Sequence, residues 1–456
     1  MDILVIGAGP AGLYFAWKMA ARGFSVHVME RDAYEKIGHR LDSFHIDSEK
    51  FAEFEMPPPE ADSKELITVF GTGVNKSPYG HHPKTVHYPF HVMRLSPFLH
   101  RLVDYCKEQG VTFSFETAFS EFIFETNEGK NDGKNIIGVV GVDKSGKSIK
   151  CHSKLVVDST GMTSPIRTTL PLDYGIETFQ ISPEEQFYVI LRYVNWLEPT
   201  EMPSKGNTGW TFYKTWVAPA PEGTDAIIGI GQPLSYEKGE NVFVDFEETI
   251  SLPKYEVIRI ERGSTPYRRP PFSFVADNFL LLGDSACLTK PFSGEGITAG
   301  WTLAKIAIEH ITPLLKANLP LDTSHLWGIN ARYNKDQGAK FAEMLAQIPA
   351  AANTTKKEME YLFKHDVIFS ALDFEGMNRN YELQIPFRKL LRIVSVLVWG
   401  LVTGRYSWKN FKGLIGSLGI AGKLRKHYEA YPDHPTNFPT WTRIASVLWD
   451  DVPKMQ

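Results

Sequence analysis

The 456-residue chain is poor in cysteine: only Cys106, Cys151 and Cys287 occur, with no close pair among them. This excludes a disulfide framework and a cysteine-type zinc site, and the expected compartment is the reducing cytoplasm. Long hydrophobic runs are missing as well. The longest uncharged stretch, Ile3 to Trp17, has fifteen residues and is broken by Gly7-Ala8-Gly9-Pro10, and the one between Arg392 and Arg405 has twelve, whereas a membrane-spanning helix needs roughly 20. The first residues do not show the basic start, long apolar centre and cleavage site of an export signal. A strong charge of either sign is also lacking. Lys plus Arg number 49 against 53 acids, a formal net charge of −4, which argues against nucleic acid as a partner because phosphate binding needs a cationic footprint. What remains is a globular composition of 43% apolar, 22% charged and 12% aromatic residues. The length suits two or three domains, and the aromatic share suits a large apolar cavity.

Along the chain, Asp2 to Ile6 reads as a buried parallel-type strand, Ala11 to Ala21 as a helix and Ser25 to Met29 as the next strand. From about Ala33 to Phe90 the chain is rich in Pro, His and Gly with weak periodicity, and loops and short elements are expected there. A helix is expected from Leu95 to Gly110, a turn at Asn131-Asp132-Gly133, and a buried strand at Leu155 to Asp158. Residues 172–272 are β-rich, with segments at Gln186 to Val194, Trp210 to Val217, Ala226 to Ile230 and Tyr255 to Ile260. Strand and helix return at Phe279 to Gly283 and Gly294 to Leu315, and the rest is helical. The expected fold class is therefore α/β (α+β). A discontinuous Rossmann-type domain (1–171 with 273–320) would carry an inserted antiparallel-sheet substrate domain (172–272) and a helical C-terminal domain (321–456).

Gly7-Ala8-Gly9-Pro10-Ala11-Gly12 is a G-x-G-x-x-G set that follows a strand, opens a helix and precedes Glu30 at the end of the second strand. Gly7 permits the tight turn, Gly9 a close backbone approach to a pyrophosphate, and Gly12 close packing of helix on strand. Pro10 and Ala11 begin the helix whose free N–H groups would meet the phosphates. Glu30, with Arg31 beside it, would accept from an adenosine ribose hydroxyl. This fingerprint by itself leaves NAD and FAD open.

Two later segments carry a resemblance. Leu280 to Ile297, containing Gly283-Asp284, Pro291, Gly294 and Gly296, resembles the glycine-aspartate motif of the para-hydroxybenzoate hydroxylase superfamily of FAD enzymes, and Asp158-Ser-Thr-Gly161 resembles that superfamily's second FAD segment. The resemblance implies FAD as cofactor, Asp284 on its ribityl hydroxyls, the helix start at Gly294 to Ile297 facing its ring, and Arg94 in the place of a cofactor-touching arginine. Trp216-Val217-Ala218-Pro219 followed by Gly229-Ile230-Gly231, together with Pro266-Tyr-Arg268-Arg269-Pro270, resembles the geranylgeranyl reductase family. That resemblance implies transfer of hydride to carbon–carbon double bonds of an apolar isoprenoid lipid, with the donor, NAD(P)H or a reduced carrier, undefined. An FAD-dependent aromatic monooxygenase and a redox-neutral flavoprotein are the alternatives.

Read as one strand with period two, Trp210, Phe212, Lys214 and Trp216 share a face, and with Pro219 they are the candidate substrate residues. The family's loop cysteine is absent from Lys36 to His45, so the candidate proton donors are His45, His39 and Asp42, whose imidazole and carboxyl groups can be tuned to donate near neutral pH. No metal is expected: His81, His82, His87 and His91 are the only dense histidine group, and Pro89 breaks a helical pair between the last two. Between Leu383 and Tyr428 lie nine Lys or Arg and no Asp or Glu, which leaves −13 on the rest of the chain. The same stretch holds Ile393 to Trp399, so residues 383–428 are expected either to contact an anionic membrane surface, peripherally on its inner face, or to form a cap whose Lys and Arg face is solvated.

Overall fold

The computed structural model describes residues 1–454 except 40, 126–134, 203–205, 368–369, 371–372, 374–375, 378, 380 and 383–385. The turn expected at Asn131 to Gly133 and the first residues of the basic stretch, from Leu383, lie outside the described residues. The architecture is α/β, with a Rossmann-like N-terminal region, a large mixed sheet and a C-terminal helical region.

The first sheet has six strands in the order Val275–Ala276, Phe279–Leu281, Leu155–Asp158, Ile3–Ile6, Val26–Met29 and Thr112–Ser114. All neighbours are parallel except the first pair. Its central strands are apolar on both faces, and Ile3, Leu4, Val5, Leu155, Val156 and Val157 are completely buried. Helices Pro10–Ala20 and Ile297–Lys316 cover one side, tied by the Trp301 indole, which donates to the Pro10 carbonyl at 3.0 Å and stacks on Tyr14. A three-stranded meander of Thr117–Phe124, Ile136–Asp143 and Ser148–His152 forms a separate small sheet. At Gly141 it approaches Met29 closely.

The second sheet has eight strands: Tyr255–Pro266, Gln186–Trp196, Ala226–Pro233, Thr215–Ala218, Thr208–Trp210, Leu66–Lys76, Lys84–Arg94 and Ser43–Asp47. Three of these come from the region expected to be loops. Leu66–Lys76 and Lys84–Arg94 are eleven residues each and pair antiparallel, so the sheet draws on 43–94 as well as on 172–272. Helix Tyr236–Ile250 packs Phe243 and Phe246 against this sheet, in a core with Ile190, Val194, Ile228 and Ile230.

Trp210 to Val217, expected to be one strand, is a hairpin. Thr208–Trp210 pairs with Thr215–Ala218, with Trp210 opposite Thr215, and residues 211–214 make the turn. Lys214 takes a left-handed backbone, φ +47°. Trp210, Phe212, Lys214 and Trp216 therefore do not share a strand face.

After residue 320 the described chain is helical, including Thr323–Tyr333, Ala339–Ala352, Lys356–Lys364, Phe387–Val402, Trp408–Glu429 and Phe438–Asp450. No described helix is long and apolar enough to cross a membrane. The three cysteines are buried and unpaired.

Candidate functional site

The glycine turn is built by contacts that only glycine permits. Gly7 sits at φ +102°, and a Cβ there would lie 2.2 Å from the Ser159 carbonyl oxygen; a Cβ on Gly12 would lie 2.6 Å from the Gly7 oxygen. Gly9 is different: the nearest atom to its Cβ position is the Ser159 oxygen at 3.9 Å, so its outer side is open. Gly9 caps the helix that Pro10 and Ala11 begin. Glu30 closes the turn from the second strand, accepting from the backbone N–H of Ala8 at 2.6 Å and of Asp32 at 2.8 Å. Arg31 is exposed beside Asp32.

Asp158 has a shaping role. One carboxylate oxygen accepts from the Thr160 N–H and hydroxyl, and the other from the Ser164 hydroxyl and the Arg167 N–H. These bonds hold the turn containing Gly161, at φ +83°, and leave the fully buried carboxylate saturated. Asp284 is the opposite case. It lies in the 3-10 turn Gly283–Ala286, with Gly283 at φ +64°, and its carboxylate has no hydrogen-bond partner among the described residues. Burial pushes its pKa up to about 6. An unsatisfied carboxylate beside the open glycine turn suits a ligand with hydroxyl groups, so the donor and acceptor set fits the FAD expected from the motifs. Arg94 stands just before helix Leu95–Glu108 and donates from Nε to Asp42 at 3.0 Å.

Beyond Asp284 the chain leads through Gly294 and Gly296 into helix Ile297–Lys316, and here it meets a cavity of about 490 Å³ against the eight-stranded sheet. Its apolar wall includes Phe70, Phe90, Phe187, Trp216, Val189 and Phe292, and Gly294 to Thr298 form one side. Trp216 lies flat on Gly229, where a Cβ would come within 2.3 Å of the indole. Trp210 touches the cavity but is 2% exposed and packs edge-on against Phe246. Phe212 packs in that same core, and neither it nor Pro219 lines the cavity. Pro291 faces a separate small cleft with Tyr267 and Cys287.

The polar groups of the cavity are few. Lys214 lines it with its ammonium 4.5 Å from the centre of the Phe187 ring, has no carboxylate within ion-pair distance among the described residues, and is pushed down to about pKa 8 by burial. At the other end His45, on strand Ser43–Asp47, hydrogen-bonds through Nε2 to Glu295, whose second oxygen accepts from Lys290 Nζ at 2.6 Å. Burial works against both charges, yet each outweighs it for the other: Lys290 rises to about 12, and Lys290 and His45 hold the Glu295 carboxyl well below the usual range. Asp47, two residues along from His45 and lining the same cavity, is 4% exposed; burial raises its pKa to about 6.

Of the three candidate proton donors, then, only His45 reaches the cavity. His39 is exposed, and Asp42 is held by Arg94 and Arg259 away from the lining. Glu295 and Lys290 lie within the glycine-aspartate segment, but nothing local signals their partnership with His45, 250 residues away in the chain. Among the described residues no three His, Cys, Asp or Glu side chains gather as a metal site; His81 and His82 flank Glu360.

Residues 5–58 match the family described as an NAD(P)-binding Rossmann-like domain. The chain is 22% identical to a digeranylgeranylglycerophospholipid reductase of Sulfolobus acidocaldarius over 98% of its length and 97% of the relative's. A protein of the same name from Haloferax volcanii is 26% identical over 65% of this chain and 72% of its own. The chain is similar at low identity to digeranylgeranylglycerophospholipid reductases. A crystal structure of a geranylgeranyl bacteriochlorophyll reductase-like protein from Thermoplasma acidophilum shares the fold, with a TM-score of 0.69 at 15% identity over 88% of this chain and 98% of the other. The chain pairs a Rossmann-like dinucleotide fold, consistent with flavin use, with an apolar cavity. It has Lys214 and Ala218 in the aromatic motif and no cysteine in the loop before His45.

Proposed function

We propose that the protein is an FAD-dependent reductase that adds two hydrogens across carbon–carbon double bonds of an apolar, isoprenoid chain. The observation that carries this reading is the aromatic and aliphatic cavity that ends on Gly294 to Thr298, next to the unpaired Asp284. Gly7, Gly9 and the start of helix Pro10–Ala20 would hold the FAD pyrophosphate, Glu30 the adenosine ribose, and Asp284 the ribityl hydroxyls. Bound there, FAD supplies the two-electron reduction. Phe70, Phe90, Phe187 and Trp216 would position the chain and exclude water. His45 keeps Nε2 on Glu295, and its other ring nitrogen, free of partners among the described residues, would carry the proton for the second carbon. Glu295 and Lys290 act through His45 as positioning residues.

Reduced protein incubated without oxygen with geranylgeranyl lipids and analysed by mass spectrometry is expected to give products heavier by pairs of hydrogens. No gain with any polyprenyl chain would refute the reading. Turnover that requires oxygen and yields a product one oxygen heavier would establish the monooxygenase alternative.

A further inference from the structure

The C-terminal helices present a surface that neither cofactor nor cavity uses. Helix Phe387–Val402 is apolar on two opposite sides. Leu397 and Gly400 are buried, and Ile393, Val396 and Leu401 are half-buried, against Tyr361, Leu362, Val367 and Tyr406. The other side points outward and carries Phe387, Leu391, Val394, Val398 and Val402, spaced by three or four residues, with Leu390 and Trp399 beside them. All seven are exposed, Phe387 at 72% and Val402 at 75%. A cap solvated through its Lys and Arg would place those residues on this side, and the helix does not. A continuous apolar patch of several hundred Å² on a soluble surface marks a contact with something else.

The charges around the stripe identify that contact. Arg388, Arg392, Arg405, Lys409 and Lys412 are all exposed. Arg392 pairs with Asp366, whereas Arg388, Arg405, Lys409 and Lys412 have no carboxylate within 4.0 Å among the described residues. Trp408, 63% exposed, opens the following helix. Apolar side chains in a row, with an unpaired cation at Arg388 in the helix and an exposed Trp and three more unpaired cations following it in the chain, match a helix lying in the plane of a bilayer surface with its apolar side among the acyl chains and its cations at anionic headgroups. A second copy of this chain would bring the same cations face to face, an arrangement that charge repulsion disfavours.

We propose that the outward face of Phe387–Val402, with Arg388, Arg405, Lys409 and Lys412, docks the protein on anionic lipid bilayers. Docking is independent of turnover, so it stands or falls separately from the reductase reading. The test is co-sedimentation of the full chain with vesicles of equal parts phosphatidylglycerol and phosphatidylcholine, and with phosphatidylcholine alone. Wild-type protein is expected to sediment with the anionic vesicles and to remain in solution with the neutral ones. Replacing Arg405 and Lys409 together by glutamine should weaken vesicle binding roughly 30-fold. Val394→Glu with Val398→Glu should abolish it, while circular dichroism and FAD binding stay as in wild type because both side chains already face water. Equal binding of wild type and the Val394→Glu/Val398→Glu variant would overturn the proposal. So would a wild-type dimer, seen by light scattering, that this variant converts to monomers, since a second copy would then be what covers the stripe.

Discussion

Replacing Glu295 by glutamine keeps the shape of the polar end of the cavity and removes the carboxylate that pairs with Lys290. In the structure Lys290 Nζ lies 2.6 Å from Glu295 Oε2, and the Lys290 side chain is 7% exposed. Glutamine would leave that ammonium buried beside a neutral amide. Breaking a buried pair on one side typically costs about 3 kcal/mol, because the uncompensated charge remains desolvated. The pH dependence follows from the direction of each shift. Lys290, raised to about 12, contributes stability in full below the ordinary lysine pKa of about 10.4, and that contribution fades as pH climbs toward the folded value. Glu295, held low, contributes above the ordinary glutamate pKa of about 4.3 and loses its contribution in acid. In the variant the sign for Lys290 reverses. Without its counter-ion, burial depresses the ammonium, so the unfolded state binds the proton better and stability rises with pH in the alkaline range. Urea unfolding followed by tryptophan fluorescence should therefore show a loss of about 3 kcal/mol at neutral pH that narrows toward pH 10. Adding Lys290→Met should recover most of the loss, since no buried charge is then left unpaired. A Glu295→Gln variant within about 0.5 kcal/mol of wild type, or a double variant as unstable as the single one, would refute the reasoning.

The first two glycines of the turn should behave differently. Gly7→Ala forces a Cβ to within 2.2 Å of the Ser159 carbonyl at φ +102° and should destabilise the fold by about 3 kcal/mol or prevent folding. Gly9→Ala meets nothing nearer than 3.9 Å, so its melting temperature should stay close to wild type while FAD binding, measured by ultrafiltration and absorbance, weakens at least about tenfold; equal retention of FAD would remove Gly9 from the site. Lys214 is pushed down to about 8 by burial. Between that value and the ordinary lysine pKa the unfolded state binds more protons, so stability rises with pH there. Lys214→Met should remove this slope and stabilise the ligand-free protein at pH 7 by about 3 kcal/mol, as read from urea unfolding; a less stable variant would show that the ammonium has a partner worth more than its burial costs.

The Rossmann-like strand, glycine turn and helix were legible in the sequence because their determinants are local. Strand, glycine turn and helix follow one another within residues 3–20, and their contacts require the glycines where they stand. The apolar cavity was not, and the strands that wall it explain why. Leu66–Lys76 is half-buried at eight of its eleven residues, and Lys84–Arg94 alternates only from Thr85 to Tyr88 before Pro89, so the alternation that marks a strand is blurred. His45, Glu295 and Lys290 come together from positions 45 and 290–295, a pairing no local pattern records.

The hairpin at 211–214 failed for a different reason. Thr211-Phe212-Tyr213-Lys214 contains none of the Gly, Asn, Asp or Pro that announce a tight turn, and a non-glycine residue at φ +47° leaves no sequence trace. Alternation across a turn is an accident of spacing. Its structural consequence is specific: the reversal sends Phe212 into the core behind the sheet, leaves Trp210 with its ring against Phe246, and presents Thr211, Lys214 and Trp216 to the cavity. The wall opposite Gly294 to Thr298 is therefore less aromatic than a continuous strand would make it, and it carries a cation. The Gln232 side chain donates to the Tyr213 carbonyl at 2.6 Å and the Gly231 N–H to the Lys214 carbonyl at 3.1 Å. These bonds hold the turn from the neighbouring strand, so the position of Lys214 over Phe187 is built into the sheet rather than left to a mobile loop.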